Sequence, residues 1–354
     1  MVKLGAFGLG GTNVSVGIVD SKTGEVSNFK RTTLKDFLNY KDCIERFIKT
    51  NIPTGYPLGG CIAGAINDNE LIANNIANSP FSQSFDFGKH LSRDYNRFTI
   101  TGDVRGEGQA ATLWLPEFKN KLVLTSTFSS GYNVDLVKDG IPILPNPIEA
   151  GHGPTPKIPN EFKRYLEMEC ACLSREGKHE SHLEAYVSAN ASANMAKRFF
   201  LENGFDSFKE NNLVLNTLRA YNSKQENPRL QIEDLINPSY RDLVFQYITG
   251  EMVYTELKKF PNQEPQKSIR SLQEYAITEA FIDMSSHYNP DTILVKGSLA
   301  EDADNWNILF EPAIKRAYKR GLKNYNEELL ITRLDNNRLS VMGGAADWLR
   351  KNPN

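Results

Sequence analysis

The first part of the chain alternates apolar and polar positions at the period of β-strands. Apolar and small residues fill positions 4–9, and apolar residues alternate with small or polar ones over 14–20. The glycine-rich run Gly8–Asn13 joins them, which predicts a hairpin and not the strand–turn–helix of a P-loop or dinucleotide site. Residues 122–140 repeat this arrangement around Ser129-Ser130-Gly131. The repetition predicts two related halves that each begin with a hairpin.

Helical and strand patterns alternate along the rest of the chain. Apolar residues at helical spacing predict helices over 35–51, 87–95, 185–203, 213–221, 240–259, 269–287, 307–322 and 341–350. Buried or alternating apolar runs predict strands over 58–66, 71–73, 98–101, 291–295 and 328–334. The helix predicted over 35–51 would place Phe37, Leu38, Cys43, Ile44, Phe47 and Ile48 on one apolar side.

Composition and charge exclude several classes of protein. The 354 residues are enough for two domains, and 40% hydrophobic with 24% charged residues is ordinary for a globular protein. A formal net charge of -2 gives no overall basic field for nucleic acid or an anionic membrane. No apolar run approaches the ~18–20 residues of a membrane helix, and the N-terminus lacks a signal-peptide pattern. Four cysteines in so long a chain are no disulfide scaffold, so we expect a cytoplasmic protein.

Several turns carry side chains that suit chemistry as well as structure. Asp103 follows the strand over 98–101 and begins a helix, a good position for catalysis in an open α/β sheet and equally for an N-cap. Asn78 precedes a helix, where a turn role is favoured over that of an amide ligand. The Gly10-Gly11-Thr12 turn is as consistent with a plain tight hairpin as with a loop that holds phosphate.

One segment concentrates groups that can bind ligands. Within about 35 residues it contains two carboxylates, two imidazoles and two thiols, from Glu149, His152, Cys170, Cys172, His182 and Glu184. An ionised Glu only accepts hydrogen bonds, while a neutral His offers one donor and one acceptor. This combination suits a ligand with many hydroxyl groups, such as a sugar. The alternative is a solvated loop with two incidental cysteines.

Taken in order, these motifs resemble those of the ROK family (repressors, open reading frames and kinases). The matches are Gly8–Asp20 to the first phosphate motif Asp-x-Gly-Gly-Thr, Asn78 to the sugar-binding Asn, Gly102-Asp103 to Asn-Asp, Ser129–Gly140 to the second phosphate motif, Glu149-x-x-His152 to Glu-x-Gly-His, 182–188 to Cys-Leu-Glu-Ala-Tyr, 295–298 to the adenosine loop, and 343–346 to the closing Gly-Ala-Ala helix. The resemblance spans the chain. It implies an α/β, two-domain actin-like ATPase (ribonuclease H-like) fold with a cleft between the domains. The small domain would comprise 1–121 plus 336–354, and the larger one 122–335.

The resemblance also implies an activity. The protein would be an ATP-dependent kinase for the 6-hydroxyl of a hexose or N-acetylhexosamine (glucose, N-acetylmannosamine or N-acetylglucosamine), using Mg²⁺ and forming a homodimer. Asp103 would be the catalytic base. The ATP-binding residues would be Gly10, Gly11, Thr12, Asn13, Ser130, Gly131, Gly297 and Ser298. The sugar would be bound by Asn78, Asp103, Glu149, His152 and Glu184.

The sequence departs from the family pattern at several positions. Gly8 replaces an Asp that usually lies near the metal, and Gly102 replaces an Asn that contacts the sugar. Ser130 replaces a Thr and keeps its hydroxyl. The family's zinc site would correspond to His152, Cys170, Cys172 and His182, but the loop between Cys172 and His182 is longer and lacks most of the family's glycines. A metal-free segment is therefore favoured over zinc.

Two alternatives to a kinase remain open. The loss of the Asp at Gly8 favours a catalytically inactive sugar-binding protein, whereas Asp103 and the two hairpins argue against it. A sugar-responsive regulator of this family would carry a helix-turn-helix domain, for which the hairpin beginning at Gly8 leaves no room.

Overall fold

The computed structural model describes residues 2–73, 81, 84–95, 97–145, 150–168, 182–225, 229–322, 329–334 and 336–353. The strands are β1 (Lys3–Leu9), β2 (Asn13–Asp20), β3 (Val26–Thr33), β4 (Leu58–Ile62), β5 (Ala65–Asn67), β6 (Glu70–Ala73), β7 (Phe85–Asp86), β8 (Phe98–Gly102), β9 (Leu122–Phe128), β10 (Tyr132–Lys138), β11 (Ile141–Pro142), β12 (Thr292–Lys296) and β13 (Leu330–Arg333).

Helices make up most of the second half of the chain. They are α1 (Tyr40–Cys43), α2 (Lys49–Asn51), α3 (Phe87–Leu91), α4 (Asp103–Trp114), α5 (Glu184–Val187), α6 (Ala189–Asn203), α7 (Asn212–Asn222), α8 (Pro238–Phe245), α9 (Gly250–Lys259), α10 (Gln266–Tyr288), α11 (Ser298–Glu301), α12 (Ala303–Asn305), α13 (Glu311–Lys319) and α14 (Leu339–Lys351). Single π-helical turns at Ile44–Ile48 and Trp306–Phe310 join α1 to α2 and α12 to α13.

Two five-stranded sheets share one topology. Their strand orders are β3-β2-β1-β4-β8 and β11-β10-β9-β12-β13. In the first sheet β1 is antiparallel to β2 and parallel to β4, and in the second sheet β9 is antiparallel to β10 and parallel to β12. The α/β fold and the two related halves predicted from the repeated hairpin are thus confirmed. A small third sheet, β5-β6-β7, follows β4.

Helices α4 and α14 lie between the two sheets. Both helices pack on the first sheet, and α4 also contacts β9 and β10 of the second. One apolar cluster contains Leu4 from the first sheet, Val123 and Leu294 from the second, and Ala110 and Val341 from the two helices. The sheets therefore share a core through this helix pair.

The closing helix approaches its neighbours at backbone distance. A Cβ on Gly344 would lie 2.6 Å from the Gly59 carbonyl oxygen of β4. A Cβ on Gly343 would lie 2.6 Å from the Gly106 carbonyl carbon of α4. Only glycine fits such contacts. The exact division into 1–121 plus 336–354 and 122–335 stays a prediction.

Some predicted helices differ from the observed ones. The helix predicted from residue 35 begins at Tyr40, because the Asn39 side chain caps it by accepting from the Asp42 N–H (3.0 Å). Leu38 lies before that cap and is 77% exposed, so its place on the apolar side was wrong. The single helix predicted over 240–259 is two helices, since Thr249 caps α9 by accepting from the Met252 N–H (3.3 Å).

The helices were predicted to be too short or too polar for a bilayer. None that the structure describes has the length and apolar character needed to cross a membrane.

Candidate functional site

A cleft of about 710 Å³ lies between the two sheets, beside α4. Both hairpins border it, together with the turn after β12 and the first turn of α9. Of the predicted site residues, the ones that line the cleft are Gly10, Gly11, Thr12, Asn13, Asp103, Ser130, Gly297 and Ser298. The sequence motifs for nucleotide and catalysis thus meet in one place.

The first hairpin turn is held by its own hydrogen bonds. The Gly10 N–H donates to the Asn13 carbonyl (3.0 Å), and the Asn13 amide donates to Thr12 Oγ1 (3.0 Å). The Leu34 N–H holds the Thr12 carbonyl from outside (2.9 Å). In the described part of the chain the Gly11 N–H has no hydrogen-bond partner. Of the two predicted glycine donors in this turn, Gly11 is therefore the one available to an anion.

The second hairpin turn is supported by a buried carboxylate. Glu184 is 6% exposed, and its Oε2 accepts from the Tyr132 N–H (3.1 Å). A Cβ on Gly131 would lie 2.9 Å from the same oxygen, so a side chain at this position would have to displace the Glu184 carboxylate. The Ser129 carbonyl accepts from the Ala189 N–H at the start of α6 (2.8 Å). Glu184 and α6 together fix the geometry of this turn.

Asp103 is placed by the end of β8 and the start of α4. The N-cap of α4 is Gly102, and Asp103 is its first helical residue, so the N-cap alternative is wrong. Its Oδ1 accepts from the Val104 N–H (2.9 Å), and the Cys61 thiol contacts its carbonyl (3.5 Å). A carboxylate in the first turn is also favoured by the helix dipole. These contacts keep Asp103 at the edge of the cleft.

Glu107 is a second carboxylate in the cleft that the sequence analysis missed. It lies one turn after Asp103 on the same face of α4 and is partly buried. Burial raises the pKa of Glu107 to about 8, and the negative charges of Asp103 and Glu301 act in the same direction, while Lys296 opposes the shift. The signal in the sequence was the i, i+4 spacing of Asp103 and Glu107.

Lys296 stands at the end of β12 beneath the cleft. Its side chain is buried, and its ammonium pairs with Glu301 (2.6 Å) and donates to the Leu334 carbonyl (3.0 Å). It therefore has its own counter-ion and ties β12 to the segment after β13.

Arg105 joins α4 to the second sheet. Its Nε pairs with Asp135 of β10, and its terminal nitrogens donate to the carbonyls of Leu144 and Pro145 (3.0 Å each). Burial raises the pKa of the Asp135 carboxyl, while the Arg105 guanidinium opposes that shift. The helix that presents Asp103 is thus fixed to the chain that leads toward residue 149.

Apart from Asp103, the predicted sugar residues that the structure describes, His152 and Glu184, lie behind the second hairpin. The turn Ala150–His152 is held by Asn133, whose Oδ1 accepts from the Ala150 N–H (3.3 Å). The rings of His152 and His182 are 5.1 Å apart between centroids. A Cβ on Gly151 would lie 3.0 Å from Glu184 Oε2. Glu184 therefore lies against the residue that precedes His152. Asn78, Glu149, Cys170 and Cys172 lie outside the described residues.

The two predicted metals are supported to different degrees. Within the ranges that the structure describes, no group of three His, Cys, Asp or Glu side chains could hold a metal ion. Zinc at His152 and His182 would need Cys170 and Cys172, so that site stays a prediction. Mg²⁺ is bound in nucleotide sites through one or two carboxylates plus phosphate oxygens. Asp103 and Glu107 in the cleft fit that requirement.

Paired sheets of this topology, with helices between them and a cleft lined by two hairpins, define a two-domain actin-like ATPase fold. The sequence profile of the ROK family matches residues 4–352. The chain belongs to the ROK family, as the ordered motifs predicted.

Solved structures show the same fold at low sequence identity. The ROK family glucokinase from Streptomyces griseus, in complex with glucose and AMPPNP, is 13% identical with a TM-score of 0.65, over 99% of this chain and 100% of that one. The ROK hexokinase from Thermus thermophilus is 14% identical with a TM-score of 0.59, over 98% and 97%. A ROK family transcriptional regulator, a homolog of the E. coli MLC protein, is 14% identical with a TM-score of 0.62, over 98% of this chain and 78% of that one. No curated protein matches the chain in sequence.

Proposed function

We propose that this protein is a sugar kinase that transfers the γ-phosphoryl group of ATP to the 6-hydroxyl of a hexose or N-acetylhexosamine. The observation that carries the proposal is the position of Asp103, at the start of α4 in a cleft bordered by both hairpins. The similar glucokinase holds glucose and an ATP analogue, which supports this choice of ligands.

Phosphoryl transfer depends mainly on positioning and charge stabilisation. The Gly11 N–H and the hydroxyls of Thr12 and Ser130 would hold phosphate oxygens from the two hairpins. Gly297 and Ser298 would border the nucleoside. When bound, Mg²⁺ would neutralise charge on the phosphates.

Asp103 would accept the proton of the attacking sugar hydroxyl. A positioned general base typically contributes about 10²–10⁴-fold. Asn78, Glu149, His152 and Glu184 would hold the sugar so that the 6-hydroxyl faces Asp103. Glu184 would do so while fixing the second phosphate hairpin, which links sugar binding to the geometry of that turn.

A panel of sugars tests the activity and its substrate. The purified protein is assayed for sugar-dependent ADP release with glucose, N-acetylmannosamine, N-acetylglucosamine and other hexoses. We expect one of these sugars to be phosphorylated with a kcat/KM well above the rest. ATP binding without ADP release on any of them would contradict the proposal and favour an inactive sugar-binding protein, the alternative suggested by Gly8.

Glu184 offers a prediction about sugar affinity. Glu184→Gln keeps an oxygen that can accept from the Tyr132 N–H but removes the charge. Hydrogen bonds to charged groups contribute about 1.5–3 kcal/mol against about 0.5–1.5 for neutral ones, so we expect roughly tenfold weaker sugar binding. ATP affinity should change little. Calorimetry with each ligand separates these effects.

The matched control for that prediction is Glu184→Ala, which also leaves the buried Tyr132 N–H without its acceptor. It should weaken both ligands, because the second hairpin is disturbed as well. Equal effects of Glu184→Gln on sugar and ATP would contradict the assignment of Glu184 to the sugar.

A further inference from the structure

Among the described residues, five carboxylates line the cleft: Asp103, Glu107, Glu251, Glu301 and Asp302. Glu301 pairs with Lys296 (2.6 Å) and Asp302 with Lys258 (2.8 Å), so both already have a counter-ion. Asp103 is the base of the proposed reaction. Among the residues that the structure describes, Glu107 and Glu251 make no hydrogen bond or ion pair through their side chains. Glu251 is exposed on α9, while Glu107 is partly buried.

Glu107 lies between the strands that lead into the two hairpin turns. On one side, a Cβ on the preceding Gly106 would lie 2.8 Å from Cys61 Sγ, and Cys61 is the register partner of Gly8 at the end of β1. On the other side, the charge of Lys296 acts on Glu107, and Lys296 is the register partner of Thr127 at the end of β9. Each of these strands leads directly into a hairpin turn. A polyphosphate held by both turns would therefore lie close to Glu107.

The hairpins themselves offer no carboxylate. Their turns read Gly-Leu-Gly-Gly-Thr-Asn over 8–13 and Ser-Ser-Gly-Tyr-Asn over 129–133. Position 8 also has no room for one, because a Cβ there would lie 2.2 Å from Ser340 Oγ and 2.6 Å from Ser340 Cβ. A carboxylate for a cation that accompanies the phosphates would have to come from another part of the cleft, and α4 carries two of them.

We propose that Glu107 is the carboxylate that binds the divalent cation of the nucleotide in this cleft. The proposal rests on the kinase function proposed above. Mg²⁺ prefers oxygen ligands, retains several waters and needs only one or two carboxylates beside the phosphates. The i, i+4 spacing places Glu107 beside Asp103 on α4. In this arrangement Glu107 serves the metal and Asp103 serves the sugar hydroxyl.

The test measures ADP binding by calorimetry, in excess Mg²⁺ and in EDTA, for the full-length protein and Glu107→Gln. We expect Mg²⁺ to strengthen ADP binding to the unchanged protein. In Glu107→Gln this strengthening should fall at least tenfold, while the affinity in EDTA at neutral pH stays about equal, because the raised pKa of Glu107 already keeps most of this carboxyl uncharged when no cation is bound. Electron paramagnetic resonance of Mn²⁺ with ADP should show the same loss of bound ion.

Two further variants make the outcome specific. Glu251→Gln makes the same chemical change at another carboxyl group of the same cleft and should keep the Mg²⁺ effect in full. Glu107→Asp should keep part of the Mg²⁺ effect, because it keeps the carboxyl group on a side chain that is one methylene shorter. If Glu107→Gln does not fold, the size of the Mg²⁺ effect in Glu107→Asp tests the proposal. Thermal unfolding checks that each variant is folded.

The possible results separate the two proposals. ADP binding with a Mg²⁺ effect that survives Glu107→Gln, or that is equally lost in Glu251→Gln, overturns the role of Glu107 alone. If the unchanged protein binds ADP equally well with and without Mg²⁺, the role of Glu107 is also overturned, while the kinase function is not. A protein that binds no adenine nucleotide under either condition overturns the kinase function and the metal role together.

Discussion

Replacing Asp103 by Asn is expected to lower kcat at least about a hundredfold, with a modest change in sugar affinity. The amide cannot accept the hydroxyl proton at neutral pH. Its oxygen can still accept from the Val104 N–H, so the start of α4 should keep its geometry. Steady-state kinetics with the sugar found in the panel, and calorimetry of sugar binding, measure the two quantities.

The control is Glu117→Gln, an equal loss of charge at an exposed position just beyond the far end of α4. It should leave kcat unchanged. Activity of Asp103→Asn within a few-fold of the unchanged protein would remove Asp103 from the role of base and direct attention to Glu107.

Replacing Gly344 by Val is expected to prevent stable folding. The added Cβ would meet the Gly59 backbone at 2.6 and 2.8 Å, and the backbone of a central strand cannot move aside as a side chain can. Overpacking typically costs about 1–3 kcal/mol, and a clash with backbone should reach or exceed the upper value. We expect little soluble protein, or a clearly lower unfolding temperature.

Gly55→Val is the matched control for that substitution. A Cβ at Gly55 would meet nothing within 4 Å, so the same change in size should be tolerated there. Equal stability of the two variants would show that α14 is free to shift away from β4, contrary to the tight packing described here.

Local sequence was enough to predict the parts of the fold that are determined locally. The two hairpins, the strand before Asp103 and the closing helix have strong periodicity and turn residues, and each was found near its predicted place. The helix caps were harder to predict. Asn39 and Thr249 lie within long apolar patterns that are typical of one continuous helix, so the sequence did not indicate that α1 and α9 begin directly after these residues.

The sequence predicted only those residues of the candidate site that belong to a recognisable motif. Asp103 and the hairpin residues have family motifs, and they line the cleft. Glu107 has none, and its environment depends on Lys296 and Glu301, which are remote in sequence. The contact of Glu184 with Tyr132 likewise joins residues 52 apart, which periodicity does not reveal.

The matching strand orders of the two sheets make the molecule an internal topological repeat. The two hairpins are equivalent positions in this repeat, whereas the inserted segments are not: β5–β7 interrupts the first half, and the chain between β11 and β12 interrupts the second. The repeated part can therefore remain constant while each insertion changes independently. If the hairpins hold phosphate as proposed, new ligand specificities can evolve in this architecture through the insertions, without change to the hairpins.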